Sequence, residues 1–165
     1  MNAEPAKLHF MCGKMAAGKS TRARELARIK NAVLLVQDEF LSALYPDEIL
    51  VIADFVRCSA RLRNALSTHI HELLSKGISV VLDFPANTRM QRQWFRELFE
   101  AAGVDHELHF VDVSDDVCKH QLKQRSELLP AGAPWTTDAE FDAITAYFQT
   151  PAADEGFNVI RHERA

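Results

Sequence analysis

The chain has 165 residues, 47% of them hydrophobic and 25% charged, with a formal net charge of −4. That composition predicts one globular domain, argues against a broad basic face for long nucleic acid, and contains no apolar run long enough to cross a bilayer. Met1–Lys7 lacks a signal-peptide core, and Cys12, Cys58 and Cys118 are widely spaced without a C-x-x-C pair, so reduced buried thiols and a cytoplasmic location are expected.

In chain order, Leu8–Cys12 reads as a first strand, and Thr21–Lys30 as a helix with apolar residues at helical spacing. Ala32–Val36 is a short, nearly all-apolar run, as expected for a parallel strand buried on both faces. Asp47–Lys76 reads as one long helix with Phe55, Leu62, Leu66, Ile70 and Leu73 as its stripe, stopped by Gly77. Ile78–Leu82 is the next strand. Thr88 is placed to cap a helix running to Ala102, and Gly103 to end it. His106–Val113 is a strand, and Ser114 opens a helix with acids in its first turn. Leu128–Pro134 holds two prolines and a glycine and reads as a loop, the centre of a short lid over about 123–137. Thr137 and Glu140 form a capping box for a last helix to about Gln149, and Phe157–Ile160 is a final strand. Strands alternating with helices predict an α/β fold: a parallel sheet covered on both faces, with ligands at the carboxyl ends of the strands.

Between the first strand and helix lies Gly13-Lys14-Met15-Ala16-Ala17-Gly18-Lys19-Ser20, followed by Thr21. This is G-x-x-x-x-G-K-S in its proper context, a phosphate-binding loop. Its amides and the helix N-terminus favour an anion. Gly13 and Gly18 permit angles and close approaches that a Cβ blocks. Lys19 is placed for the β- and γ-phosphates of a nucleotide and Ser20 for Mg²⁺. Lys14 is open to two readings, a phosphate contact or a solvated side chain.

Other candidates follow the strand ends. Asp38, just past Val36, reads as a base for an attacking hydroxyl or as a helix cap. Asp83 ends a hydrophobic strand, as a Mg²⁺-orienting acid does, or serves as a turn residue. Lys123 and Arg125 precede the Pro/Gly loop and read as flap cations or a solvated face, Arg125 being preferred. Arg57, Arg61 and Arg92 are lesser candidates for an acceptor site; Arg57 and Arg61 share a helix face and are read as meeting acceptor phosphate or simply water. The seven histidines show no ligand spacing, so no zinc site is expected, and nothing supports acyl transfer.

The ordered blocks Gly13–Thr21, Val36–Phe40, Gly77–Asp83, Phe148–Pro151 and Glu155–Val159 resemble the small bacterial kinases of the phosphate-loop superfamily often labelled AAA-type ATPase by sequence. That group includes chloramphenicol phosphotransferase, the zeta toxins and the kinase domain of polynucleotide kinase. The resemblance implies a three-layer, nucleoside-kinase-like phosphate-loop fold. It also implies ATP and Mg²⁺ as cofactors and phosphoryl transfer to a hydroxyl, with Asp38 at the base position and Arg125 on the flap. Polynucleotide 5′-hydroxyl kinases carry Arg three residues after the catalytic Asp; Leu41 stands there. Arg125 is followed by Ser126 rather than the Asn common in related chains. Asn87 or Arg89 is expected to line the acceptor side.

The expected activity is ATP-dependent transfer to the hydroxyl of a small molecule. The rivals are a polynucleotide 5′-hydroxyl kinase and a non-kinase ATP-binding switch.

Overall fold

The computed structural model describes residues 4–130 and 136–164. Five strands form one fully parallel sheet: β1 (Lys7–Cys12), β2 (Val33–Val36), β3 (Val80–Asp83), β4 (Asp105–Val113) and β5 (Val159–Arg164), in spatial order β2-β3-β1-β4-β5. Helices α1 (Lys19–Lys30), α2 (Gln37–Leu44), α3 (Ile52–Ser75), α4 (Arg89–Ala102), α5 (Asp115–Glu127) and α6 (Asp138–Thr145) alternate with the strands and flank the sheet. This is the expected three-layer phosphate-loop architecture.

The alternation of side chains along β1 builds both layers. Leu8, Phe10 and Cys12 enter a core with Leu62, Ile70 and Leu74 of α3 and Phe95, Leu98 and Phe99 of α4, where Phe10 stacks on Phe95 at 4.4 Å between ring centroids. Met11, on the opposite face, packs with Ala23 and Ala27 of α1 and Cys118 and Leu122 of α5. The small α1 side chains let that helix lie close to the sheet. All three cysteines are free and buried, and burial pushes the Cys12 thiol up to about 12.

Capping chemistry sets several boundaries where the sequence predicts them. Thr88, Ser114 and Thr137 each accept a backbone N–H three residues on, and Gly103 closes α4 in a left-handed conformation. Three boundaries differ. The helix after β2 starts at once at Gln37, with Val36 as N-cap, so Asp38 lies inside the first turn and is not a cap. The long helix starts at Ile52 rather than Asp47, because Asp54 accepts the amides of Leu50 and Val51 and thereby fixes the start. The last helix ends at Thr145, and the Gln149 amide instead donates to the Asn87 carbonyl at 2.8 Å. Of the expected lid, 123–127 are the end of α5 and 131–135 lie outside the described residues.

Arg92 is a structural residue. It is fully buried, and its guanidinium grips Glu155 at 2.8 and 3.1 Å and the Ala86 carbonyl at 2.9 Å. The expectation that it meets an acceptor is therefore corrected: it has no open face.

Candidate active site

A cavity of about 460 Å³ opens at the carboxyl ends of β1, β2 and β3. Its floor is the loop from Lys14 to Ser20. Gly18 has φ 101° and precedes α1, which has no side-chain cap and no acid in its first turn. The first amides of α1 therefore have no capping side chain and are available to an anion. Gly13 is required for a different reason: a Cβ there would lie 2.9 Å from the Val111 carbonyl oxygen. Its own amide donates to Asn87 Oδ1 at 2.9 Å, tying the loop to the segment after β3.

Lys19 folds over the loop and donates to the carbonyls of Gly13 and, at 3.1 Å, Lys14. Burial lowers its pKa, with Cys12 and Asp83 acting in the opposite sense. Ser20 donates its hydroxyl to Asp83 Oδ2 at 2.7 Å. Hard oxygens from a loop serine and a strand-end carboxylate fit Mg²⁺, which takes few protein ligands and keeps several waters. Lys14 lines the cavity but pairs with Asp115 at 2.6 Å, so its ammonium is held at the rim. Thr21 is exposed on α1 and is not among the side chains lining the cavity.

Asp38 faces Asp83 because β2 and β3 are in register at Val36 and Asp83, and α2 begins directly after Val36. Partial withdrawal from water raises the Asp38 pKa, the Asp83 charge raises it further, and Lys19 opposes both. Arg125 reaches the cavity from α5. Lys123 lines a separate groove with Lys119 and Asp138. The predicted preference for Arg125 thus has a geometric counterpart.

The remaining candidates separate cleanly. Asn87 lines the cavity, whereas Arg89 forms a bidentate pair with Asp154 at 2.8 and 2.9 Å. Arg57 pairs with Asp54 at 3.0 Å, and neither it nor Arg61 is in the lining.

Four contributors were not anticipated. Phe55 of α3 and Tyr147 and Phe148 beyond α6 form apolar walls. Gln37 lines the cavity at 1% exposure, and neither its amide nitrogen nor its oxygen has a hydrogen-bond partner among the described residues. Its signal was a polar residue directly after a buried strand, next to Asp38.

A family model described as an AAA domain matches residues 8–151. The chain belongs to that family. Among solved structures it is similar to a presumed kinase of Chloroflexus aurantiacus J-10-fl (18% identity, 97% of this chain and 89% of that one, TM-score 0.75). It is also similar to a gluconokinase of Sinorhizobium meliloti 1021 (17%, 98% and 84%, TM-score 0.60). A third is Kti12 of Chaetomium thermophilum in complex with ADP-AlF3 (16%, 94% and 88%, TM-score 0.67). These likenesses establish the shared phosphate-loop fold. No curated protein matches the sequence. No helix among the described residues is long and apolar enough to cross a membrane.

Proposed function

We propose that this protein transfers the γ-phosphoryl group of ATP to the hydroxyl of an uncharged small molecule. One observation carries the reading: the phosphate loop, the Ser20–Asp83 pair and Asp38 open on a single cavity. The kinases among the structural neighbours support it, as does the nucleotide analogue bound to one of them.

Phosphoryl transfer depends on positioning and charge stabilisation more than on covalent help from the protein. The loop amides and Lys19 would hold the triphosphate, and Ser20 and Asp83 would hold Mg²⁺. That ion supplies charge neutralisation at the β- and γ-oxygens when bound. Asp38 orients the acceptor hydroxyl and takes its proton as the oxygen bonds to phosphorus and ADP leaves. Its raised pKa brings it closer to that of the group it must deprotonate in the transition state. Arg125 neutralises charge on the moving phosphoryl group.

The acceptor end supports an uncharged substrate. Among the described residues, the cationic side chains lining the cavity are Lys14, Lys19 and Arg125, all on the phosphate side. Gln37, Phe55, Tyr147 and Phe148 suit a partly apolar molecule with a second polar group for the Gln37 amide. Leu41 in place of a basic residue, and the absence of a cation at this end, disfavour a nucleic-acid terminus.

The test is a panel of uncharged alcohols, sugars, antibiotics and oligonucleotide 5′ ends incubated with γ-labelled ATP and Mg²⁺. Label moving to a neutral alcohol, and lost in Lys19→Ala, is expected. Label on oligonucleotide ends would transfer the assignment to end repair. ATP binding with no acceptor labelled would leave a nucleotide-dependent switch.

A further inference from the structure

Three of the seven histidines, His9, His109 and His162, meet on the sheet face covered by α1. His9 of β1 and Glu107 of β4 are register partners, and His109 lies two residues further along β4 on the same face. His9 Nδ1 and His109 Nε2 are 3.4 Å apart, and each is 3.1 Å from Glu107 Oε2. His9 and His109 are 1% and 4% exposed. Among the described residues this is the only set of three side chains whose donor atoms meet closely enough to hold a metal ion.

We propose that His9, Glu107 and His109 bind a divalent transition-metal ion, Zn²⁺ foremost, which pins β1 to β4 beneath the phosphate loop. Zinc–nitrogen and zinc–oxygen bonds of about 2.0–2.1 Å in a tetrahedron set neighbouring ligand atoms about 3.3 Å apart. The three observed separations cluster around that edge length. Two imidazoles and a carboxylate suit zinc, and they leave a fourth position for water. The surroundings supply part of the pattern expected around such ligands, for His109 and for Glu107. His109 Nδ1, on the far side of the ring, lies 3.0 Å from His162 Nε2 of β5, with the rings stacked at 11°. Lys7 occupies the other carboxylate oxygen, Glu107 Oε1, at 3.4 Å and leaves Oε2 to the ion. Lys7 and, on α1, Lys30 place positive charge near His9, so the ion is expected to be held less tightly than in a thiolate site.

The competing arrangement uses the same atoms without metal. Glu107 Oε2 would accept hydrogen bonds from both imidazoles, and His162 would donate to His109 Nδ1. The two arrangements differ in where the protons sit: the metal needs His9 Nδ1 and His109 Nε2 bare, whereas the hydrogen-bonded cluster needs both protonated.

The experiment uses the full chain with any affinity tag removed. Metal content is measured by mass spectrometry after purification without chelator. The chelator-stripped protein is then titrated with Co²⁺, read by visible absorption, and with Zn²⁺, read by thermal melting. Near-stoichiometric zinc or an intense tetrahedral Co²⁺ spectrum, with a higher Tm on adding Zn²⁺, is expected. Glu107→Gln and His9→Asn, which keep side-chain size or the donor position close to the original while removing a metal ligand, should abolish both responses. Protein that is isolated metal-free, gives no Co²⁺ spectrum and melts unchanged with Zn²⁺ overturns the site in favour of the hydrogen-bonded cluster. Metal retained by both folded variants overturns it equally. Should the variants fail to fold, the wild-type Co²⁺ titration decides. Neither readout involves ATP, so this inference stands or falls apart from the proposed phosphotransfer.

Discussion

Ser20 and Asp83 touch across 2.7 Å, hydroxyl to carboxylate, although 63 residues separate them in the chain. The contact exists because β1 and β3 are adjacent parallel strands whose carboxyl ends emerge side by side. On the proposed function, this pair would hold Mg²⁺ beside the phosphate loop. Asp83→Asn is therefore expected to raise the Mg²⁺ concentration for half-maximal turnover by about 10–100-fold. A Mg²⁺ titration of ATP turnover at saturating nucleotide would check this; an unchanged midpoint would remove Asp83 from the metal's surroundings.

As the proposed base, Asp38 sets stability against activity. Its folded pKa is raised above the unfolded value of 3.8, so the folded state binds more protons between the two values and loses stability as pH rises through them. Asp38→Asn should melt at higher temperature than the wild type at pH 7. The gain should vanish below the unfolded pKa, where the wild-type carboxyl is already neutral. Phosphoryl transfer should fall by about 10²–10⁴-fold. In the wild type the acid limb of kcat/KM should lie above the ordinary aspartate range. Paired melting curves and pH–rate profiles test both halves.

Gln37 shows the same trade in another form. An unpaired buried polar group costs about 1–3 kcal/mol, and here both ends of one amide are unpaired. Gln37→Met keeps the volume and removes the polarity. Urea unfolding should register a gain of about 1 kcal/mol. KM for ATP should be unchanged, while kcat/KM for the acceptor found by labelling should drop about tenfold or more, as expected for losing a hydrogen bond to a substrate polar group.

Arg92 is a structural arginine, in contrast to Arg125, for which a catalytic role is proposed. Arg92→Met leaves Glu155 buried without its cation, which costs about 3–5 kcal/mol. The midpoint of urea unfolding should fall accordingly, while KM for ATP at low temperature, where the variant is folded, should match the wild type. A selective effect on acceptor KM without loss of stability would reverse this assignment.

Legibility followed the range of the interactions. The phosphate loop was readable because its glycines, lysine and serine act within eight residues. The ends of α4 and the start of α6 were readable because Thr88, Gly103 and Thr137 cap locally. The start of α2 was not, since Val36 offers no capping side chain and the strand passes straight into the helix. Asp47 looked like a helix start, but it has φ 60°, and the nearby carboxylate that accepts the start-site amides belongs to Asp54. Arg92 and Arg125 are equally basic in sequence; only the fold buries one against Glu155 and turns the other toward the loop. The histidine cluster joins three strands, and spacing along the chain carries no trace of it.

The hydrogen bond from the Gly13 amide to Asn87 works as a mechanical linkage. Asn87 in turn receives the Gln149 amide on its carbonyl, and the Gln149 side chain accepts the Arg89 amide. The phosphate loop is thus fastened to the very segment that leads from Asp83 toward the opposite wall. On the proposed function, occupation of one half of the pocket would restrain the other, so the two substrates are expected to help each other dock.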